Sequence, residues 1–209
     1  MVRKIFFNQT KKISGCKYKD TITALTDNFE YMKTTINIEL DDESAEFLNS
    51  GQIYFYGRDH AFRPILIFSV AQLDVKKVVQ PEFFIKFFTN MFEYVIQEML
   101  IPGQVENWVI IIDLKGMSLW TIPYGGLGAI IKFASASYRN RVFRVYIVNA
   151  PWSITVPWVF AKKMMNEVQI AKVIIQKKKY DKKMGEHIRM DQLEEKFGGT
   201  QKDLVPGVK

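Results

Sequence analysis

Between residues 81 and 100 apolar side chains recur every three or four positions. Phe84, Phe88, Met91, Val95 and Met99 form one stripe, widened by Phe83, Phe87, Phe92 and Ile96. Glu82, Lys86, Asn90, Glu93 and Gln97 fall on the other side. This spacing predicts an amphipathic helix with a broad apolar face, opened by Pro81. Ile22, Leu25, Phe29 and Met32 predict a shorter helix over 21–35. Runs of a different kind follow Gly51. Gln52 to Tyr56 and Pro64 to Val70 read as two strands joined by the polar turn Gly57-Arg58-Asp59-His60-Ala61, a hairpin. Residues 107–113 (NWVIIID) are continuously apolar, as in a strand buried on both faces. Further strands are predicted at Arg144–Val148 and Ile170–Ile175, and helices over 128–137, 152–161 and 191–196. Strands that alternate with helices after residue 64 indicate an α/β fold with a mostly parallel sheet.

The stretch 152–161 (WSITVPWVFA) holds no charge and presents apolar residues on all sides. A surface helix keeps a polar face. This one is either packed on two sides or placed between protein and lipid.

Composition narrows the class. The chain has 209 residues, 48% of them hydrophobic and 14% aromatic, with a formal charge of +7. That supports one large interior, and the basic excess favours anionic partners. The single cysteine, Cys16, excludes an internal disulfide framework and a cysteine-built zinc site. No apolar run approaches the ~18 residues of a spanning helix. Charge is unevenly spread. Residues 1–20 form a basic arm, 39–50 hold five acids, and 177–183 (KKKYDKK) hold five lysines.

Catalytic patterns are few. His60 and His187 lie in no metal-ligand motif, and no nucleophile elbow, Walker loop or zinc-protease motif occurs. Gly125-Gly126-Leu127-Gly128 lacks the spacing of a dinucleotide loop. Asp113 ends a buried strand, where ligands of parallel sheets gather, but it has no partnered nucleophile or base and serves to shape the exit turn. The lysine block has only Tyr180 among it, which is no stacking platform for nucleic acid. A solvated face, or contact with an anionic lipid surface, are the other readings of that block.

Four segments, in order, resemble the CRAL-TRIO lipid-binding domain in its secretory-pathway phosphatidylinositol-transfer branch. They are Gly57-Arg58-Asp59-His60-Ala61-Phe62-Arg63-Pro64-Ile65, Ile111-Ile112-Asp113-Leu114-Lys115-Gly116-Met117-Ser118, the pair Tyr138-Arg139-Asn140-Arg141 and Tyr146-Ile147-Val148-Asn149-Ala150-Pro151-Trp152, and Leu193-Glu194-Glu195-Lys196-Phe197-Gly198-Gly199-Thr200. The departures are Phe62 where Gly is common, Arg139-Asn140 for Pro-Glu, and Glu194 for Pro. Trp120 also stands on a stretch where phosphatidylcholine-binding members carry small hydroxyl residues.

The resemblance implies a CRAL-TRIO-like domain over 49–200. A basic arm and partial helical appendage precede it (1–48), and a frayed tail follows (201–209). It implies a sheet that floors a deep apolar pocket covered by helices, with Phe84, Phe88, Met91 and Trp120 in its lining. It implies a mobile gate after the Asn-Ala-Pro segment, carried by Trp152, Ile154, Val156, Trp158, Val159 and Phe160. Aligned back from Phe197-Gly198-Gly199, the headgroup lysine falls on Lys182, with Lys179 one turn earlier and Ser118 a weaker candidate. The implied protein is no enzyme and needs no cofactor or metal. It binds one phospholipid, of the phosphatidylinositol class, and exchanges or presents it at membranes. The alternatives are a non-exchanging lipid-sensing module and a carrier of a tocopherol or sterol-like molecule. The expected setting is cytoplasmic, as a monomer with peripheral contact to an anionic membrane and no nucleic-acid partner.

Overall fold

The computed structural model describes residues 18–35, 41–70, 80–117, 124–177 and 181–204. Helix α1 (Tyr18–Thr35) and helix α2 (Asp42–Asn49) precede the sheet. The acidic stretch that carried no predicted element is therefore partly helical. Asp41 caps α2 by accepting a hydrogen bond from the Ser44 N–H at 2.8 Å, which satisfies one of the orphan amides of the first turn.

Strands β1 (Ile53–Arg58) and β2 (Pro64–Ser69) form the antiparallel hairpin. Asp59 builds its turn. One carboxylate oxygen accepts from the Ala61 and Arg63 amides, and the other meets the Arg63 guanidinium at 2.9 Å. Helix α3 (Pro81–Tyr94) then runs into one π-helical turn (Val95–Met99). Strand β3 (Trp108–Asp113), helix α4 (Tyr124–Ser137) and strand β4 (Val142–Val148) follow. A 3-10 turn (Trp152–Ile154) leads into helix α5 (Thr155–Lys162), helix α6 (Glu167–Ile170) and strand β5 (Val173–Ile175). Helix α7 (Asp181–Gly185) and two 3-10 turns, Met190–Gln192 and Glu195–Phe197, close the described chain.

Two expectations change. Ile170 ends α6 rather than starting a strand, because Asn166 and Gln169 form a reciprocal capping box that holds 167–170 helical. The helix expected over 191–196 is instead a pair of 3-10 turns around Leu193 and Glu194, both fully buried in extended backbone.

The strand order is β1-β2-β3-β4-β5, with β2 to β5 parallel. Parallel crossovers are right-handed, so a sequential order puts α3, α4 and α5 on one face of the sheet. The chain's last elements cover the other face. There Ile65, Ile67, Val109, Ile111, Tyr146 and Val148 pack on Met184, Ile188, Leu193 and Phe197, all essentially sealed from water. A register shift between Trp108 and Val109 lets β4 place Tyr146 in that cluster and Val145 and Ile147 on the helix face.

Three contacts pin the covering segment down. Tyr54 donates to Glu194 at 2.7 Å, Lys196 pairs with Glu194 at 2.9 Å, and the Leu204 amide donates to the same carboxylate at 2.7 Å. Burial, and then the Glu194 carboxylate, raise the Tyr54 phenol well above its ordinary range. Glu194 thus ties Leu204 to strand β1.

On the helix face α3 builds a phenylalanine cluster with Phe47 of α2. The rings of Phe83, Phe84, Phe87 and Phe88 meet one another and Phe47 mostly edge to face. Helix α1 lies across α3 and α4. Asn28 donates to the Ser137 carbonyl at 3.0 Å, and the Tyr31 hydroxyl meets Thr89 at 2.7 Å.

Candidate functional site

The two faces of the sheet differ in one respect that matters for function. Successive residues of a strand point to opposite faces. On β3, Val109 and Ile111 are sealed, whereas Ile110 and Ile112 between them are only half-buried. Strand β3 was expected to be buried on both faces, and it is buried fully on one. On β4, Val145 and Ile147 are half-buried beside the sealed Tyr146 and Val148, and all three residues of β5, Val173, Ile174 and Ile175, are half-buried. Register joins these residues into one patch, with Ile110 beside Val145 and Val173, and Ile112 beside Ile147 and Ile175. Over β1 and β2 the helix face buries Ile53 and Leu66 in the α3 cluster and leaves the phenyl rings of Phe55 and Phe68 half-buried against it. Over β3 to β5 an aliphatic floor stays accessible.

The cover over this half is α4 and α5. Ile154, at the base of the α5 segment, packs into the cluster that holds Ile112, Ile147, Ile175 and Met117. Tyr124 at the start of α4 meets Phe160 edge to face, centroids 5.2 Å apart. Pro157 and Ala161 point inward and are buried. Outward, Trp152, Val156 and Val159 are 83%, 66% and 45% exposed. Those three are spaced four and three apart, on one side of the helical segment. The Lys162 ammonium lies over the Trp158 ring at 5.7 Å. The uncharged stretch is therefore neither wholly core nor wholly surface. It has a buried side, a contact to α4, and an apolar outer side in water.

The chain enters this segment through a fixed corner. Asn149 takes the left-handed conformation (φ 53°) and its side-chain amide donates to Asp113 at 2.7 Å. The Lys115 amide donates to the same Asp113 oxygen at 2.9 Å. Asp113 thus shapes the exits of two neighbouring strands. Beyond the corner the Ala150 amide donates to the Gln176 carbonyl at 3.2 Å, which ties the start of the segment to the end of β5.

The residues expected to carry a gate, Trp152, Ile154, Val156, Trp158, Val159 and Phe160, lie together in one helical segment. Phe84, Phe88 and Met91 are buried in the aromatic cluster beneath α3, where Phe88 leans on Phe68 of the sheet. Trp120, Ser118 and Lys179 lie outside the described residues, and so does the side chain of Lys182, whose backbone belongs to α7. Helix α7 itself docks on the sealed face through Met184. The floor residues Ile110, Ile112, Val145, Ile147, Val173 and Ile175 were not singled out from sequence. An unbroken apolar run hides its two-residue period, and only the difference in cover between the faces exposes it. Asn149 was quoted only inside the Asn-Ala-Pro match, and nothing in its type announces a corner.

The described residues contain no group of three side chains able to hold a metal, and no helix long and apolar enough to cross a membrane. A separate polar cluster lies between α1, α3 and α4. Tyr138 donates to Glu93 at 2.9 Å, and burial raises the pKa of both groups. His187 accepts from or donates to the Tyr146 hydroxyl at 3.0 Å, and burial pushes that phenol up to about 12.

With this geometry, comparison with known proteins is informative. The CRAL/TRIO domain matches residues 48–199. The chain is 26% identical over 181 residues to the Sec14 cytosolic factor of Schizosaccharomyces pombe, covering 78% of this chain and 61% of that one. It is 25% identical over 171 residues to the phosphatidylinositol/phosphatidylcholine transfer protein SFH4 of Arabidopsis thaliana, covering 76% and 28%. The chain thus spans about three fifths of the first relative's length and a smaller part of the second's. The crystal structure of Sfh5 superposes with a TM-score of 0.76 at 16% identity, over 96% of this chain and 72% of that one, and so shares the fold. A match over most of the chain, with Sec14-type relatives and the same arrangement of sheet and covering helices, makes this chain a member of the CRAL/TRIO domain family.

Proposed function

We propose that this chain binds one lipid between the accessible half of the sheet and the cover formed by α4 and α5, and exchanges or presents it at a membrane. The observation that carries this reading is the contrast between the two sheet faces. One is sealed by the chain's own C-terminal elements, and the other leaves an aliphatic floor open beside an apolar helix. An acyl chain laid on that floor leaves water at about 0.8 kcal/mol per methylene. The outward side chains Trp152, Val156 and Val159 would leave water in the same step when α5 meets a bilayer. No bond is made or broken, so the proposed activity is transport rather than catalysis.

The favoured cargo is of the phosphatidylinositol class, in keeping with the names of the relatives and with the basic balance of the chain. Its phosphate would meet Lys182, assisted by Lys179, with Ser118 inside the pocket. The proposed setting is the cytoplasmic face of a membrane, with the chain acting as a monomer. Incubation with vesicles containing phosphatidylinositol, followed by native mass spectrometry, should show about one lipid per chain. A correctly folded protein that takes up no phospholipid and no apolar ligand would sink the reading.

A further inference from the structure

We infer that helix α1 is a second membrane contact, so that the chain settles on an anionic bilayer through two apolar surfaces, one on α1 and one on α5. This rests on the reading that the chain works at a membrane, and adds a surface to it. Among the described residues the two most exposed large hydrophobic side chains are Trp152, at 83%, and Tyr18, at 73%. Each opens a helical segment. Ile22 and Phe29 are exposed as well. With Tyr18 they fall within about 40° of one another around α1, at about 100° per residue. They form one apolar stripe rather than scattered surface positions. Helix α1 also repeats a detail of α5. The Lys33 ammonium lies over the Phe29 ring at 4.2 Å, as that of Lys162 lies over Trp158 at 5.7 Å. An apolar ring with a lysine one turn on suits the boundary between acyl chains and headgroups, where the ring enters and the long stem carries its charge to the phosphates.

Charge selects the occupant of this stripe. Helix α4 touches both surfaces: the Ser137 carbonyl at its end accepts from Asn28 of α1, and Tyr124 at its start meets Phe160 of α5. From Leu114 to Asn166, a span that includes α4 and α5, the chain has seven basic residues and no acid. Lys132 of α4 is exposed, and so are Lys162 and Lys163 at the end of α5. Residues 1–17, which lead into α1, hold five more basic residues and no acid. Around α1 the apolar stripe adjoins the side of Asn28, which reaches α4, whereas Asp27 and Glu30 fall on the side away from it. Apolar side chains and basic charge thus lie toward the acid-free layer, and the acids of α1 lie apart. A surface of this kind complements an anionic bilayer. It suits a second copy of the chain less well, because the matching face of a symmetric pair would bring the same positive charge.

The test uses the full chain and phosphatidylcholine vesicles, with and without phosphatidylserine. Ile22→Cys in a Cys16→Ser background takes a nitrobenzoxadiazole label, and so does Asp27→Cys on the acidic side of the helix. On vesicles that contain phosphatidylserine, the label at position 22 should shift to the blue and be quenched by spin-labelled lipid, while the label at position 27 should emit as in water. Cosedimentation should favour the anionic vesicles, and Ile22→Glu should weaken it about tenfold, the loss of one apolar side chain from the contact. The inference is overturned by a parent that cosediments with neither vesicle, by a label at position 22 that stays in water on vesicles that hold the protein, or by a folded Ile22→Glu variant that cosediments like the parent. A dimer that Ile22→Glu dissociates also overturns it, and gives the stripe to a second copy. Phosphatidylinositol loading, read by native mass spectrometry, should be the same in Ile22→Glu as in the parent. Absence of loading in every protein overturns lipid carriage instead, and the label at position 22 still decides the α1 contact.

Discussion

Gly128 of α4 lies under the end of Met164, so closely that a Cβ on the glycine would stand 3.1 Å from the methionine methyl and 3.3 Å from its sulfur. The thioether fills the notch that the missing side chain leaves, just past the end of α5. With Tyr124 on Phe160, this contact joins α4 to the α5 segment. Gly128→Ala has two opposed effects. Alanine favours the helix by about 1 kcal/mol over glycine, and the flexible end of Met164 must give by a few tenths of an ångström. The expected stability change is therefore within about 1 kcal/mol. Gly128→Leu cannot be accommodated in the notch and should displace α5. Its expected signature is altered fluorescence from Trp152 and Trp158 together with faster lipid exchange between vesicles. Unchanged exchange in a folded Gly128→Leu protein would show that the contact does not restrain the cover.

The outer side of α5 offers a cleaner test than the residues that point partly inward. Val156→Glu adds a charge at a site two-thirds exposed, so the melting curve should move by no more than the ~0.5 kcal/mol usual for surface changes. Transfer between vesicles should fall about tenfold or more, since a carboxylate resists entry into the bilayer. Trp158→Glu should impair transfer too, with a larger cost in stability because the indole is half-buried. Collapse of the fold by Val156→Glu would mark the segment as core.

For the headgroup, Lys182→Ala should weaken phosphatidylinositol loading by about tenfold or more, as the loss of a charge-assisted bond worth roughly 1.5–3 kcal/mol requires. Binding of an uncharged apolar ligand should be nearly unchanged. Lys177→Ala, at an exposed site, should alter loading little. Equal effects of the two substitutions, with specificity unchanged, would assign the lysine block to general membrane attraction.

Glu93 gives a pH-dependent stability with a definite sign. Burial raises its folded pKa above the unfolded value of about 4.3, opposed by the Tyr138 hydrogen bond and the Arg141 charge. The folded state then holds the proton more tightly than the unfolded one. Its contribution is fully present below the unfolded pKa and is lost as pH rises through the folded pKa. Glu93→Gln keeps an acceptor for Tyr138 and removes the charge. The variant should melt higher than the parent at pH 7, and the difference should shrink toward pH 4. A gap that persists unchanged at pH 4 would mean that the charge is not the cause.

The sequence made the helix over 81–100 legible because Phe84, Phe88 and Met91 fall on one stripe bounded by charged positions. It made the parallel sheet legible through strands that alternate with helices. The Asn-Ala-Pro and Phe-Gly-Gly segments made the family resemblance legible. It could not show that Ile110 and Ile111 lead different lives, since two isoleucines in a row carry no sign of which one is covered. Burial there depends on Met184, Ile188 and Leu193, some seventy to eighty residues away in sequence and therefore invisible to any local window. The short helix over 42–49 was missed because its three acids equal its three apolar residues in number, and only Phe47 and Ser44 are buried. The strand expected to begin at Ile170 failed on the capping box of Asn166 and Gln169, which lies within one turn before it and carries no apolar signal of its own.

The way the sheet's far face is closed has a consequence for synthesis. Ile65 and Ile67 emerge from the ribosome early, while Leu193 and Phe197, which cover them, follow roughly 130 residues later. At translation rates of about 5–20 residues per second, that face stays open for on the order of ten seconds. During that interval a growing parallel sheet of isoleucine and valine is bare on one side, and unpaired strand edges are the usual sites of misassembly. Folding of this domain is therefore gated by its last elements. A ribosome that stalls before Leu193 would present a nearly finished sheet to the chaperones rather than a partly folded domain that can wait.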